Sequence, residues 1–188
     1  MSFGSFTHRC GLVLLLLGLP EMSEAASGIL VGRPSSSLGY ISSGEQIVVG
    51  PWGFRIEPPG AIATQVSFEG AEERPPRQTN DRGIVEYREI WPGVALRYRP
   101  EKHGIEYYFV LDPGADPARV QLRVETGTLR LSDAGELLTG NGVALTRPRA
   151  WQNQGRRRRR VTVSYRITGQ RVTFDVGRYD HARTLVID

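Results

Sequence analysis

The feature that most constrains this fold is an alternation of apolar and polar residues that begins near residue 45 and continues to the end of the chain. Successive side chains of a strand point to opposite faces of a sheet, so the alternation predicts strands with one buried face. Turn residues such as Gly50-Pro51 and Asp133-Ala134-Gly135 interrupt it. Turn signals spaced roughly every 8–12 residues are typical of antiparallel sandwiches and barrels. We therefore predict an all-β, antiparallel β-sandwich-like domain of about a dozen short strands.

The clearest strands lie in the middle of the chain, over residues 84–90, 94–99 and 105–111. A further strand is predicted over 159–167, whereas residues 70–82 lack apolar periodicity and are predicted as a long exposed loop. The aromatic side chains of the three middle strands are expected mainly in the core, with stacking on sugars as the alternative. They are Tyr87, Trp91, Tyr98, Tyr107, Tyr108 and Phe109.

The first 25 residues have the layout of a secretory signal. His8 and Arg9 precede an apolar run over 12–19, which is shorter than the roughly 20 residues that cross a bilayer. Ser23-Glu24-Ala25 then places small residues at −3 and −1, which predicts cleavage after Ala25. We expect a secreted protein, extracellular or periplasmic, with no transmembrane span and no helix after the signal. A buried N-terminal helix or an uncleaved anchor is the alternative.

The chain divides into three predicted segments. Residues 1–25 form the signal peptide, the small and polar residues 26–44 form a flexible arm, and residues 45–188 form a single β-rich domain. The lone cysteine, Cys10, lies within the predicted signal, so the exported chain has no disulfide. A domain of this length buries enough apolar surface to be stable without one.

Arginine supplies nearly all of the positive charge. Of the 24 Lys and Arg residues, only Lys102 is a lysine. The codon preference of a GC-rich genome explains this bias. The alternative is recognition of phosphate, sulfate or carboxylate groups, which the planar guanidinium suits better than an ammonium does.

The sharpest feature is a run of five arginines after Gly155, namely Arg156, Arg157, Arg158, Arg159 and Arg160. One interpretation is a solvated turn between two strands whose charge discourages edge-to-edge pairing. The other is a binding site for an anionic polysaccharide, lipopolysaccharide phosphates or a membrane surface. The predicted secretory signal argues against a nucleic acid as partner.

Candidate metal sites are weak in this sequence. Asp112 and Asp116 offer carboxylates for calcium, but two acids are few for a cation that takes six to eight ligands, and their surroundings suit a turn. Once the predicted signal, with His8 and Cys10, is removed, His103 and His181 have no further Cys or His residues to complete a zinc site. We predict no metal site and no cofactor.

Candidate catalytic residues are equally few. Glu106 and Asp175 form the one carboxylate pair considered for glycoside hydrolysis, and spacing along the chain does not tell whether they approach each other. No sequence motif for a nucleophilic serine or a phosphate loop is present. We predict that the chain is not an enzyme.

Several segments resemble a known family. Residues 90–98 are similar to "vyPGIDLvY", residues 105–117 to "lEYdFvvaPGADP", residues 148–152 to "P.aYQ", and residues 176–188 to "vg.YD...pLvIDP". The chain thus resembles the bacterial secreted β-rich domain of unknown function that usually precedes SBBP-type β-propeller repeats. The likeness is firmest over residues 84–188. It implies a surface or extracellular module with no established catalytic residues.

Three hypotheses for function follow. The leading one is an exported, non-catalytic structural or interaction module of a bacterial cell-surface or extracellular assembly, with a surface polysaccharide, a β-propeller or another envelope protein as partner. The second is a glycan- or polyanion-binding module that uses Arg156–Arg160. The third is a hydrolase.

Overall fold

The structure, a computed structural model, describes residues 12–13, 30–32, 37–42, 45–81, 83–101, 104–125, 127–155 and 157–188. The predicted signal peptide, apart from Leu12–Val13, and its cleavage after Ala25 lie outside the described residues. The same holds for Cys10, His103 and Arg156.

Regular structure in the described residues is almost entirely β. In chain order the strands are β1 (Leu12–Val13), β2 (Leu30–Gly32), β3 (Ser37–Ser42), β4 (Glu45–Gly50), β5 (Gly53–Glu57), β6 (Thr64–Phe68), β7 (Arg77–Gln78), β8 (Val85–Trp91), β9 (Val94–Glu101), β10 (Gly104–Leu111), β11 (Gln121–Val124), β12 (Leu129–Leu131), β13 (Leu137–Thr139), β14 (Ala144–Leu145), β15 (Ala150–Gln154), β16 (Arg157–Val161), β17 (Val163–Thr168), β18 (Arg171–Val176) and β19 (Leu185–Ile187). A single 3-10 turn, Pro117–Arg119, is the helical element of this part of the chain.

These strands form three antiparallel sheets. Sheet A has the order β1-β3-β4-β5-β6-β11-β18-β17, with β2 also paired to β3. Sheet B has the order β16-β15-β19-β10-β9-β8-β7, and the small sheet C has the order β12-β13-β14. The prediction of an all-β, antiparallel, sandwich-like domain is confirmed. None of the described residues belongs to a helix long and apolar enough to cross a membrane.

Sheets A and B pack face to face through aromatic side chains. Phe109 of β10 lies with its ring centroid 5.2 Å from that of Phe68 in β6 and 6.3 Å from that of Phe174 in β18. Trp91 and Tyr107 complete the contact on the sheet B side, at 5.8 and 5.9 Å from Phe109. Such edge-to-face and tilted contacts stabilise a core beyond the area that they bury. Most of the predicted core aromatics therefore lie in the core, whereas Tyr108 alternates onto the opposite face of β10.

The strand predicted over 159–167 proves to be two strands in different sheets. β16 belongs to sheet B and β17 to sheet A, with Thr162 between them. The carbonyl oxygen of Thr162 accepts a hydrogen bond from Gly177 N at 2.8 Å instead of continuing either ladder. Val161 and Val163 are both buried, so the apolar alternation runs through the crossing without interruption. For this reason the sequence pattern does not reveal the change of sheet.

Sheet A extends into the segment 26–44, which the sequence predicts as an arm. Within it, β3 pairs with β4 over Leu38↔Val49 to Ser42↔Glu45, and Leu38 is fully buried. The predicted exposed loop 70–82 likewise includes β7, whose residues pair with β8.

Candidate functional site

The arginine run lies at the edge of sheet B. Arg157 to Arg160 are on β16, which pairs with β15 from Gln154↔Arg157 to Ala150↔Val161. Gly155, at φ +60°, opens the short turn between the strands, a conformation that glycine adopts readily. One interpretation of the sequence assigns the run to a turn between two strands, but the register places its four described members in the second strand.

Strand alternation divides these four arginines between two faces. Arg160 is paired with Trp151 and Arg158 with Asn153, so both arginines share the outer face of sheet B with Trp151. Arg157 and Arg159 lie on the side of Gln152, which is fully buried. The Gln152 amide nitrogen donates to Asp180 O at 2.8 Å, and Asp180 N donates to Gln152 Oε1 at 2.9 Å. At Gln152 the inner side of the hairpin is therefore covered by residues 177–184 (the 180s loop), whereas its outer side faces solvent.

Arg158, which forms the outer pair with Arg160, contacts an aromatic ring. The guanidinium carbon of Arg158 lies 4.9 Å from the centroid of the Trp151 ring, within the range of a cation–π interaction. Sequence reasoning missed Trp151 as a site residue. The available signal is the position of Trp151 in the sequence. It lies on the strand that precedes a tight turn and then the arginine run, so a hairpin makes Trp151 a cross-strand neighbour of the run.

The arginines of the run differ from most others in the chain in their partners. Among the described residues, no carboxylate oxygen lies within 4.0 Å of a guanidinium nitrogen of Arg157–Arg160. Arginines elsewhere do form ion pairs at that distance, namely Arg55, Arg74, Arg88, Arg97, Arg99, Arg123, Arg149, Arg166, Arg171 and Arg183. Because a guanidinium stays protonated in proteins, the run presents exposed charge with no carboxylate within ion-pair distance in the described part of the chain.

The carboxylate of Asp180 interacts electrostatically with Arg159, which forms the inner pair with Arg157. A hydrogen bond from the Ala182 backbone and the ion pair with Arg183 lower the pKa of Asp180, and the charge of Arg159 adds to this effect. The inner side of the hairpin thus has a carboxylate that partly offsets Arg159.

The candidate catalytic pair is not brought together. Glu106 lies on the outer face of sheet B. Its neighbour Tyr107 faces the core, where its ring packs on Phe54 of sheet A with centroids 5.0 Å apart, and successive residues of a strand point to opposite faces. Asp175 is on the outer face of sheet A, because its neighbour Phe174 packs on Phe109. Glu106 binds Arg99 and Arg149, and Asp175 binds Arg166 at 3.1 Å. The two carboxylates therefore lie on opposite sides of the sandwich, each in its own ion pair.

Asp112 and Asp116 act as turn residues. Asp116 Oδ1 accepts a hydrogen bond from Ala118 N at 2.9 Å and caps the 3-10 turn, while the Asp112 carbonyl accepts one from Ala115 N at 3.0 Å. His181 lies with its ring 4.2 Å from that of Tyr179. In the part of the chain that the structure describes, no group of three or more His, Cys, Asp or Glu residues is arranged to hold a metal ion.

Comparison with known proteins gives one match. A family model described as a domain of unknown function (DUF7948) matches residues 60–188, which is more than half of the chain and includes all of sheet B. No curated protein and no solved structure matches the chain. The chain therefore belongs to the family described as a domain of unknown function, DUF7948.

Proposed function

We propose that this protein is an exported, non-catalytic interaction module that binds an anionic polymer through the β15–β16 hairpin. The observation that carries the proposal is the exposed run Arg157–Arg160 on an edge strand, with no carboxylate partner among the described residues. The polymer is one that bears sulfate, phosphate or carboxylate groups, such as a surface polysaccharide.

The physical basis is the match between guanidinium groups and repeated anions. Each guanidinium offers planar donors that suit a sulfate, phosphate or carboxylate. A single exposed ion pair contributes little, but several on one ligand act together because the later contacts form within the same complex. The pairing of β16 with β15 fixes the backbone from which the arginines project, which lowers the entropy cost of binding.

The proposal is tested by binding to heparin, a sulfated polysaccharide, at low and at high salt. We expect binding at low salt that weakens steeply as salt is added, because added ions screen exposed charges. Substituting Arg157, Arg158, Arg159 and Arg160 together by Ser should weaken binding by at least about tenfold.

The chain offers a matched control for charge. Arg119, Arg130, Arg147 and Arg178 are also exposed and also lack an ion pair among the described residues, so replacing them by Ser removes the same net charge elsewhere. This control should retain most of the affinity. Equal losses in both fourfold variants, with both folded by circular dichroism, would show that binding reflects only net charge and would overturn the proposal.

Export is the second part of the proposal and rests on the sequence of residues 1–25. The family likeness also supports it, since the bacterial domains that this chain resembles are secreted and usually precede SBBP-type β-propeller repeats. Expression with the natural N-terminus in a bacterial host, followed by mass measurement of the product, tests it. Loss of residues 1–25 is expected, whereas an intact chain retained in the cytoplasm would contradict export.

A structural role beside a β-propeller or another envelope protein is the remaining alternative. It is favoured if the purified protein binds no heparin even at low salt. The anion-binding proposal fails in that case.

A further inference from the structure

The outer face of sheet B around Trp151 combines an aromatic ring with the exposed arginines Arg158 and Arg160. Resting on the proposed function, we infer that the ligand lies across this face, with Arg158 and Arg160 at the β16 end of its path, and that it is an anionic polysaccharide. In this arrangement the ligand does not lie along the free edge of β16, and Arg157 and Arg159 do not contact it.

The first argument is the alternation along β16. Arg158 and Arg160 share the outer face with Trp151, whereas Arg157 and Arg159 project to the side where Gln152 binds the 180s loop. A ligand on the outer face therefore meets only two of the four described arginines of the run. A peptide strand added to the edge of β16 would instead direct side chains to both faces and meet all four.

The second argument is the apolar row that continues from Trp151 into the sheet. The register places Val186 of β19, which is buried, beside Trp151, and the half-buried Val110 of β10 and Ala95 of β9 beyond it. The ring of Trp151 and the half-buried Val110 and Ala95 suit the C–H faces of sugar rings, and the guanidinium groups of Arg158 and Arg160 suit their anionic substituents. This combination favours a charged saccharide over a small inorganic anion.

The third argument is the layering of charge on this face. Arg88, Arg97 and Arg149 have exposed fractions of 64%, 34% and 63%, whereas Glu86 and Asp188, their ion-pair partners, are only 4% and 10% exposed. The carboxylates lie close to the sheet and the guanidinium groups lie above them. A ligand that approaches this face therefore meets a cationic outer layer, even though the ion pairs are formed.

The outer face of sheet A shows this layering only at Glu69, which is 20% exposed beside Arg123 at 45% and Arg171 at 50%. Elsewhere on that face Asp175 is 59% exposed beside Arg166 at 66%, and Glu57 is 39% exposed beside Arg55 at 46%. At these two ion pairs a polyanion would meet both signs of charge to a similar extent. The two faces of the sandwich thus differ in the charge that they present, and sheet B is the one suited to an anion.

Two double variants with identical changes in charge test the inference. Purified protein carrying R158S and R160S is compared with protein carrying R157S and R159S, and heparin is the probe. We expect the outer pair to cost about tenfold in affinity and the inner pair less than about threefold. Losses of equal size would overturn the inference and favour a ligand on the edge of β16.

A second readout uses the fluorescence of Trp151. Heparin should change the emission of the natural protein, and Trp151→Phe should abolish most of that change while circular dichroism shows an unaltered fold. An unchanged response in this variant would place the ligand elsewhere and overturn the inference. If the natural protein does not bind heparin at all, the proposed function itself fails, which is a different result from equal losses in the double variants.

The class of ligand is tested by a third comparison. A single-stranded oligonucleotide of similar charge also combines anions with rings that stack on aromatic side chains. Binding of heparin that exceeds binding of the oligonucleotide at equal salt supports a polysaccharide. The reverse order overturns the assignment of ligand class.

Discussion

The hydroxyl group of Tyr98, in β9 of sheet B, lies 2.8 Å from the carbonyl oxygen of Gly50 and 2.9 Å from that of Gly53. Both glycines flank the tight turn between β4 and β5 of sheet A, and Tyr98 is fully buried. The single hydroxyl hydrogen of this sheet B side chain thus serves the two carbonyl oxygens on either side of the sheet A turn. Buried carbonyls that lose their donor destabilise a fold.

We expect Tyr98→Phe to lower the free energy of unfolding by about 1–3 kcal/mol, because the ring remains but the buried carbonyls lose its hydroxyl. Urea denaturation of both proteins measures the difference. Tyr108→Phe is the matched control, since Tyr108 lies on the outer face of the neighbouring strand and is only half-buried. A Tyr98→Phe protein as stable as this control would show that the inter-sheet hydrogen bonds contribute nothing.

Gly53 of β5 has no room for a side chain. Its φ is +132°, and a Cβ atom built there would lie 2.0 Å from the carbonyl oxygen of Val66 in β6. Gly53→Ala should therefore cost at least about 3 kcal/mol, because both the backbone conformation and the close approach of two strands oppose it. Chemical denaturation gives the value.

Gly60 provides the comparison for Gly53. Its φ is +69°, yet no atom lies within 4 Å of a Cβ built on it, so Gly60→Ala should cost only about 1–2 kcal/mol. Similar costs for the two variants would contradict the role of strand packing at Gly53. A much larger cost for Gly53 separates the steric contribution from backbone strain.

Much of the fold could be predicted because the same alternation that marks the strands also marks the core. The strands predicted over 84–90, 94–99 and 105–111 correspond to β8, β9 and β10, and Tyr87, Tyr98 and Phe109 are buried. The crossing at Thr162 could not be predicted, because buried residues on both of its sides preserve the alternation. Pairing between strands distant in sequence, such as β10 with β19, is also invisible to a local pattern.

The candidate site could be predicted only in part. The arginine run is evident in the sequence, but its division between two faces depends on the register of β16 against β15. The partnership of Trp151 with Arg158 depends on the same register. Likewise, the separation of Glu106 from Asp175 follows from the pairing of each strand with its own sheet, which the spacing of the two residues does not encode.

The surroundings of the Glu86 carboxylate should make the stability of the fold depend on pH. Burial raises the pKa of Glu86, but hydrogen bonds from Arg88 and Arg97 outweigh it, so that the pKa lies below its ordinary value of 4.5. A depressed pKa in the folded state contributes stability that is present above the unfolded value and is lost as pH falls through the folded value. The natural protein should therefore exceed Glu86→Gln in stability at neutral pH, and the difference should shrink as pH falls below about 4.5.

Thermal or urea unfolding of both proteins between neutral and acidic pH measures this difference. Glu73→Gln is a suitable control, because Glu73 is exposed and forms no ion pair within the described residues. A difference between the natural protein and Glu86→Gln that stays constant over the whole range would show that the carboxylate charge of Glu86 does not stabilise the fold.

Part of the core is formed by residues that precede the family match, and this predicts which shortened chains fold. The match starts at residue 60, whereas Leu38, Val49 and Phe54 of β3, β4 and β5 are buried in the same core as Phe68 and Phe109. A chain of residues 60–188 would expose the inner face of β6, leave β6 as a sheet edge and remove the carbonyl groups that Tyr98 contacts.

We expect the chain of residues 60–188 to aggregate or to melt without cooperativity, and a chain of residues 26–188 to melt cooperatively as a β protein. Circular dichroism and size-exclusion chromatography compare the two. Equal melting temperatures and a monomeric shorter chain would show that β3, β4 and β5 are dispensable for the fold.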